Sequence, residues 1–126
     1  MAESTLVKGV MLALSDAGCT VWRQNTGVGW TGNRTRLPGG DALIHSARPL
    51  RAGLCVGSGD IIGVAPDGRF LSVEVKTSRG RPTREQITFR DAVLRAGGIA
   101  GIVWSVEEAL ELVGKQRSKK QEMVYE

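Results

Sequence analysis

Apolar residues recur along the chain with a helical period in three stretches, separated by shorter runs typical of strands. The first helical stretch ends at Gly18, and Ser4 or Thr5 is predicted to cap its N-terminus. The second begins with the capping-box sequence from Thr83 to Gln86 and stops at a glycine pair. The predicted core face of the first helix consists of Leu6, Val7, Val10, Met11, Leu14 and Ala17.

Extended apolar runs predict four strands, with approximate bounds 20–25, 61–65, 70–75 and 99–104. Trp22 is predicted to lie in the core. The last run is almost wholly apolar, which is typical of a buried strand in a helix-covered sheet. A short helix capped by Ser105 follows and ends near Val113. The order α-β-β-β-α-β-α predicts an α/β fold in which helices flank a mixed central sheet.

Residues 26–53 form the least regular section, which is rich in glycine, arginine and proline. A loop of this length in a compact domain is usually functional or partly disordered, and only 42–44 is predicted to form a short edge strand. Trp30 with Arg34 and Arg36 combines a stacking surface with phosphate-binding cations, so these side chains are candidate nucleic-acid contacts. The alternatives are a solubilising surface loop and a segment that pairs with a second subunit.

Length and composition indicate one soluble domain. The chain has 126 residues, of which 41% are hydrophobic and 24% charged, as is typical of a globular protein with a single core. We expect one domain over 1–126, with a folded part at about 3–113 and a basic polar tail at 115–126. No apolar run approaches the ~20 residues of a bilayer span, and no signal peptide is apparent, so we expect a cytoplasmic location and no membrane partner.

Charge, histidine and cysteine content restrict the kinds of site that the chain can form. The net charge of +4 and the pI of about 9.5 are too modest to identify a nucleic-acid binder, but arginines concentrate at 34–51 and 79–95. His45 is the sole histidine, which excludes a multi-histidine zinc site. Cys19 and Cys55 form no C-x-x-C motif and are expected to be reduced thiols. The P-loop motif is absent, so no nucleotide cofactor is expected.

The stretch that begins at Asp60 predicts a hairpin with chemical groups at its open end. A Pro-Asp-Gly triplet suits a three-residue turn that pairs Ala65 with Arg69. This register places Asp60 directly opposite Glu74, with Lys76 on the same face and the two carboxylates roughly 5 Å apart at Cβ. Such carboxylates repel unless a cation lies between them, and Mg²⁺ prefers hard oxygen ligands of this kind. The alternative is an amphipathic strand whose charged face is solvated.

The motifs around this hairpin resemble those of the VRR-NUC family, which belongs to the PD-(D/E)XK superfamily of metal-dependent nucleases. The resemblance covers about 3–109 and rests on Gly57-Ser58-Gly59-Asp60-Ile61-Ile62-Gly63, Glu74-Val75-Lys76, Gly80-Arg81 and Gln86. It implies a restriction-endonuclease-like core. Gly59 departs from the family pattern, which usually has proline there, and we expect the departure to affect rigidity more than chemistry.

The resemblance implies a Mg²⁺- or Mn²⁺-dependent endonuclease whose metal is held by Asp60, Glu74 and the backbone carbonyl of Val75. Lys76 would orient the attacking water or stabilise the negative charge that develops on the phosphate. For Glu3 two interpretations stay open. Its charge is favourable at the start of a helix, and the family implies an acidic residue here that approaches the metal as an auxiliary ligand.

Gln86 also has two interpretations. Its amide either caps the second helix or, as the family implies, lies near the scissile phosphate and acts in catalysis with Asp60, Glu74 and Lys76. Arginines near the site are candidate phosphate contacts, and a polar residue at the end of the first strand lies near the substrate in related nucleases. These arginines are Arg23, Arg79, Arg81 and Arg84.

Stand-alone members of the family resemble small phage or bacterial nucleases that act on structured DNA, including branched and Holliday junctions. Because cutting a symmetric junction takes two sites, we expect a homodimer. Two other classes compete with the nuclease. One is a DNA-binding module that has lost catalysis, and the other is a small structural or regulatory subunit in which Glu-x-Lys is incidental.

Overall fold

The computed structural model describes residues 2–25 and 27–114, so the predicted tail at 115–126 lies outside the described residues. Helix α1 spans Glu3–Asp16 and helix α2 spans Arg84–Arg95. A third helix, α3, covers 106–114. Within the described ranges, no helix is both long enough and apolar enough to cross a membrane.

Six strands accompany these helices. They are β1 (Thr20–Arg23), β2 (Gly27–Arg36), β3 (Ala42–Ala52), β4 (Ile61–Val64), β5 (Phe70–Val75) and β6 (Ile99–Val103). The main sheet has the order β1-β4-β5-β6, in which β6 runs parallel to β5 and the other neighbours are antiparallel. The predicted mixed α/β fold is therefore confirmed, and the β4–β5 hairpin lies in the middle of the main sheet.

The core lies between one face of the main sheet and the helices α1 and α3. Alternation along β5 directs Leu71, Val73 and Val75 into this core, and all three are fully buried. Leu14 of α1 and Val113 of α3 pack in the same cluster. The other face of β5 carries Ser72 and Glu74, so the hairpin combines an apolar face that anchors it with a polar face that is available for chemistry.

The prediction that Trp22 lies in the core is wrong, because its side chain is 55% exposed. Trp22 pairs with Ile62, whose neighbour Ile61 points into the core. Alternation therefore places Trp22 on the opposite face of the sheet, where α2 packs on β5 and β6 and leaves β1 open.

The helix caps agree with the sequence in two places and differ in one. Helix α1 begins at Glu3 after Ala2, so Ser4 and Thr5 lie in its first turn and the prediction that either caps it is wrong. Helix α2 has the complete capping box of Thr83. At α3, Ser105 Oγ accepts a hydrogen bond from the backbone N–H of Glu108 at 3.1 Å, as predicted.

Residues 27–52 form a two-stranded arm, and the prediction of an irregular loop with one short edge strand is wrong. Strands β2 and β3 pair over nearly their whole length and are joined through a short 3-10 turn at Pro38–Gly40. Almost every side chain of the arm is exposed, whichever face it lies on. Because neither face is buried, the sequence lacks the apolar alternation that marks a strand, and its glycines and prolines dominate the pattern.

Candidate metal centre

Asp60 and Glu74 face one another at the open end of the β4–β5 hairpin. The backbone N–H of Ala65 donates to the carbonyl of Arg69 at 2.9 Å, and Ile61 pairs with Val73. Both contacts confirm the predicted register, which places Asp60 opposite Glu74. The carboxylate of Asp60 also accepts a hydrogen bond from the backbone N–H of Val75, with 2.9 Å between Oδ2 and N.

The turn before Asp60 comes so close to α2 and β5 that Gly57 and Gly59 have no room for a side chain. Gly57 has a φ of +91°, and a Cβ there would collide with the backbone carbonyl of Glu85. A Cβ on Gly59 would lie 2.6 Å from the carbonyl oxygen of Val73, and the Gly59 N–H donates to Ser72 Oγ at 3.1 Å. Glycine at position 59 therefore permits a close approach of the turn to β5.

Gln24 holds this turn in place, although nothing in the residue pattern marks it. Its Nε2 donates to Ser58 Oγ at 2.8 Å and to the carbonyl of Gly59 at 2.7 Å. Its Oε1 accepts from the backbone N–H of Leu54 at 2.9 Å, and its own backbone N–H donates to the carbonyl of Asp60 at 2.8 Å. One side chain thus joins the end of β1, the end of the arm and the turn that positions Asp60.

We expect Gln24→Ala to lower the free energy of unfolding by about 1–3 kcal/mol, because it leaves partly buried polar groups of the turn without partners. Urea denaturation followed by fluorescence measures this change. Asn25→Ala, at the adjacent exposed position, is the matched control and should change stability by less than about 0.5 kcal/mol. Equal effects of the two substitutions would contradict the role assigned to Gln24.

Glu74 is a buried carboxyl, with a residue exposure of 8%. Burial raises its pKa to about 7, and the negative charge of Asp60 adds to this effect, while Lys76 opposes it. A side-chain hydrogen bond to Asp60 also favours the protonated form and so raises the pKa of Glu74. The two carboxylates repel when both are ionised, and a cation between them would offset that repulsion.

The pKa of Glu74 predicts a pH dependence of stability in metal-free buffer. Between about pH 4.5 and 7 the unfolded chain has lost the Glu74 proton and the folded chain retains it, so the free energy of unfolding should fall as the pH rises through this window. Urea titrations at several pH values measure the slope. Glu74→Gln should remove this contribution, and the exposed control Glu107→Gln should preserve it; an unchanged slope in Glu74→Gln would contradict the assignment.

Two side chains contact the same oxygen of Glu74. Gln86 Nε2 donates to Glu74 Oε1 at 3.0 Å, and Lys76 Nζ lies 3.8 Å from that oxygen. Gln86 also completes the capping box of α2, since its Oε1 accepts from the backbone N–H of Thr83 at 2.9 Å. The two interpretations of Gln86 are therefore compatible, because one amide caps the helix with its oxygen and reaches the site with its nitrogen.

The oxygen donors of this site fit a hard divalent cation. The Val75 N–H points towards Asp60, and in an extended strand the carbonyl of the same residue points to the same side. Within the described residues, no three His, Cys, Asp or Glu side chains lie together as a metal-binding group. Two carboxylates and a backbone carbonyl suit Mg²⁺, which keeps several waters. The charge of exposed Glu3 raises the pKa of Glu74, and its role as a ligand stays a prediction.

A cleft of about 690 Å³ opens over these groups. Asp60, Glu74 and Gln86 line one side of it, and Val28 and Arg51 at the base of the arm line another. The arginine in this lining, Arg51, is absent from the residues predicted to contact nucleic acid. A signal for it was present, because it follows Arg48 in the arginine-rich stretch that precedes the hairpin.

The predicted nucleic-acid contacts lie around the cleft and not in it. Arg23 pairs with Ile61, so it projects from the face of the sheet opposite to Asp60. Trp30 and the two arginines predicted with it lie further out on the arm. Arg84 lines a neighbouring cleft, and the remaining predicted arginines, Arg79 and Arg81, are exposed in the connection between β5 and α2.

No protein-family model matches the chain, and a search of curated proteins finds no match either. The resemblance to VRR-NUC nucleases therefore stays a prediction, and the chemistry of the site is argued from its own geometry.

Proposed function

We propose that this chain is a Mg²⁺-dependent DNA endonuclease of the VRR-NUC type, built on a restriction-endonuclease-like core, which hydrolyses phosphodiester bonds in structured or branched DNA. One observation carries the proposal. Asp60 and Glu74 face each other at the end of a hairpin, the Glu74 side chain is buried, and Lys76 Nζ lies 3.8 Å from Glu74 Oε1. On a solvated strand face Glu74 would be exposed, whereas its residue exposure is 8%.

Asp60, Glu74 and the carbonyl of Val75 would hold the metal, and Mn²⁺ fits the same donors. When bound, the ion would lower the pKa of a coordinated water and offset negative charge on the phosphate. The Val75 N–H fixes the orientation of the Asp60 carboxylate. Gln86 does the same for Glu74. Lys76 supplies a positive charge beside the buried carboxylate, where negative charge increases during attack on the phosphate.

A cleavage panel tests this function. Linear, flap, splayed and four-way DNA are incubated with the protein in Mg²⁺ and in EDTA, and the products are resolved on denaturing gels. We expect Mg²⁺-dependent cleavage with a preference for branched substrates. DNA that is retarded on native gels but not cleaved in Mg²⁺ or Mn²⁺ would show a binding module and reject the nuclease.

Symmetric cleavage of a four-way junction also needs two copies of the site. We therefore propose a homodimer acting in the cytoplasm of a bacterial cell, whether host- or phage-encoded. Light scattering at micromolar concentration measures the mass directly, and a strictly monomeric protein would contradict junction resolution in this form.

A further inference from the structure

The two faces of the arm carry different chemistry. Val28 pairs with Arg51 and Trp30 with Pro49, while beyond an irregularity in the register Arg34 pairs with Ile44 and Arg36 with Ala42. The extra residue lies in β3 near Ser46, whose φ is +53°, so β2 continues its regular alternation. One face, which we call the arginine face, consequently carries Trp30, Arg34, Arg36 and Arg51, together with the apolar residues Val28, Ile44, Pro49 and Ala42. Arg48 pairs with Thr31 and lies on the opposite face.

The arm carries an excess of positive charge. It contains four arginines and one acidic residue, Asp41, and no arginine of the arm forms a salt bridge within the described residues. Trp30 is 61% exposed. A two-stranded sheet exposed on both faces is marginally stable alone, and its arginines attract groups of opposite charge.

The arginine face leads directly into the cleft. Arg51 lies at the base of the arm and shares the cleft lining with Asp60 and Glu74. Arg51 pairs with Val28, and Arg36 lies eight residues further along β2. At a rise of about 3.3 Å per residue, Arg36 is roughly 26 Å further out. A DNA backbone that contacts Arg36 and Arg34 would therefore follow the arm and arrive at the carboxylate pair beside Arg51.

We propose that the arginine face binds the backbone of double-stranded DNA, and that Arg51 contacts a phosphate next to the one that is cleaved. A two-stranded ribbon fits the major groove, and the ~26 Å between the outer and inner arginines spans roughly eight base pairs at about 3.4 Å each. Duplex DNA is favoured over single strands because this face has three cations and a single aromatic ring, whereas single-strand binding uses several stacking rings. The role of Arg51 at the cleaved phosphate rests on the proposed nuclease; the binding role of the arm does not.

Arg34→Ala and Arg51→Ala are compared with Arg48→Ala, which removes the same charge from the other face of the same arm. Fluorescence anisotropy with a 30-base-pair duplex in EDTA, at several salt concentrations, gives the affinity and its salt slope. We expect Arg34→Ala and Arg51→Ala each to weaken binding roughly tenfold and to lower the slope by about one. Arg48→Ala should change neither. In Mg²⁺, cleavage rates over a range of DNA concentrations should show a lower kcat for Arg51→Ala and a raised KM with unchanged kcat for Arg34→Ala.

Several outcomes would overturn the inference. Arg34→Ala and Arg48→Ala could lose equal DNA affinity, both arginine-face variants could keep the duplex affinity of the wild type, or Trp30→Ala could weaken single-strand binding more than duplex binding. The inference would also fail if the arginine-face variants changed mass in light scattering without a change in DNA affinity, since the arm would then join two copies of the chain. The proposed nuclease fails separately. That outcome is a wild-type protein that cleaves no DNA, although the arginine variants weaken binding as expected.

Discussion

Asp60→Asn should abolish metal-dependent cleavage, with a loss of at least about 10³-fold. The asparagine oxygen can still accept the Val75 N–H, which now donates to Asp60 Oδ2 at 2.9 Å, so the hairpin should keep its geometry. What is removed is the negative charge that would bind the cation, whose contribution amounts to several kcal/mol of transition-state stabilisation. Nicking of supercoiled plasmid in Mg²⁺ measures the loss.

Asp16→Asn is the matched control, since the same chemical change at the exposed end of α1 should leave nicking unchanged. A second measurement separates metal binding from chemistry. Mg²⁺ should raise the Tm of the wild type and of Asp16→Asn, because a ligand of the folded state stabilises it. It should leave the Tm of Asp60→Asn unchanged. Wild-type nicking by Asp60→Asn would remove the carboxylate pair from the mechanism.

Lys76→Met should lower kcat by about 10²–10³-fold, as expected for the loss of one preorganised charge beside a reacting group. Duplex affinity in EDTA should change little, because the Lys76 side chain is only 17% exposed and lies against Glu74. Lys76 also lowers the pKa of Glu74, so in metal-free buffer its removal should extend the fall in stability with pH, and hence the profile of stability against pH, to higher pH. Cleavage kinetics measure the first effect, and urea titrations in EDTA measure the second.

Lys8→Met is the matched control, because Lys8 is exposed on α1 and its loss should affect neither kcat nor the profile. Lys76→Arg should recover part of the rate, since it restores the charge with different geometry. A lower affinity with unchanged kcat in Lys76→Met would instead make this lysine a DNA contact.

The sequence predicted the register of the hairpin and the cap of α2, where local rules determine the structure. The register of Asp60 against Glu74 follows from one tight turn and the two-residue alternation of strands, and the cap of α2 follows from Thr83 and Gln86 alone. These features depend on residues that are neighbours along the chain or across a single hairpin, so the local sequence is enough to predict them.

Features that depend on tertiary context were missed. Trp22 has the residue type of a core position, but the face it occupies is set by which helices cover the sheet. The arm lacks apolar alternation because it packs on little besides itself. Gln24 acts through partners 30–35 residues away, and the closeness of Arg51 to the cleft depends on how the arm returns to the domain.

Gln24 has a mechanical consequence. The arm leaves the domain just after Gln24 and returns just before Leu54, and one side chain bonds to Leu54 and to the carbonyl of Gly59. We therefore expect a displacement of the base of the arm to reach the peptide that carries Asp60 through the hydrogen bonds of Gln24. A ligand bound along the arm would in that case influence the orientation of the Asp60 carboxylate without touching it.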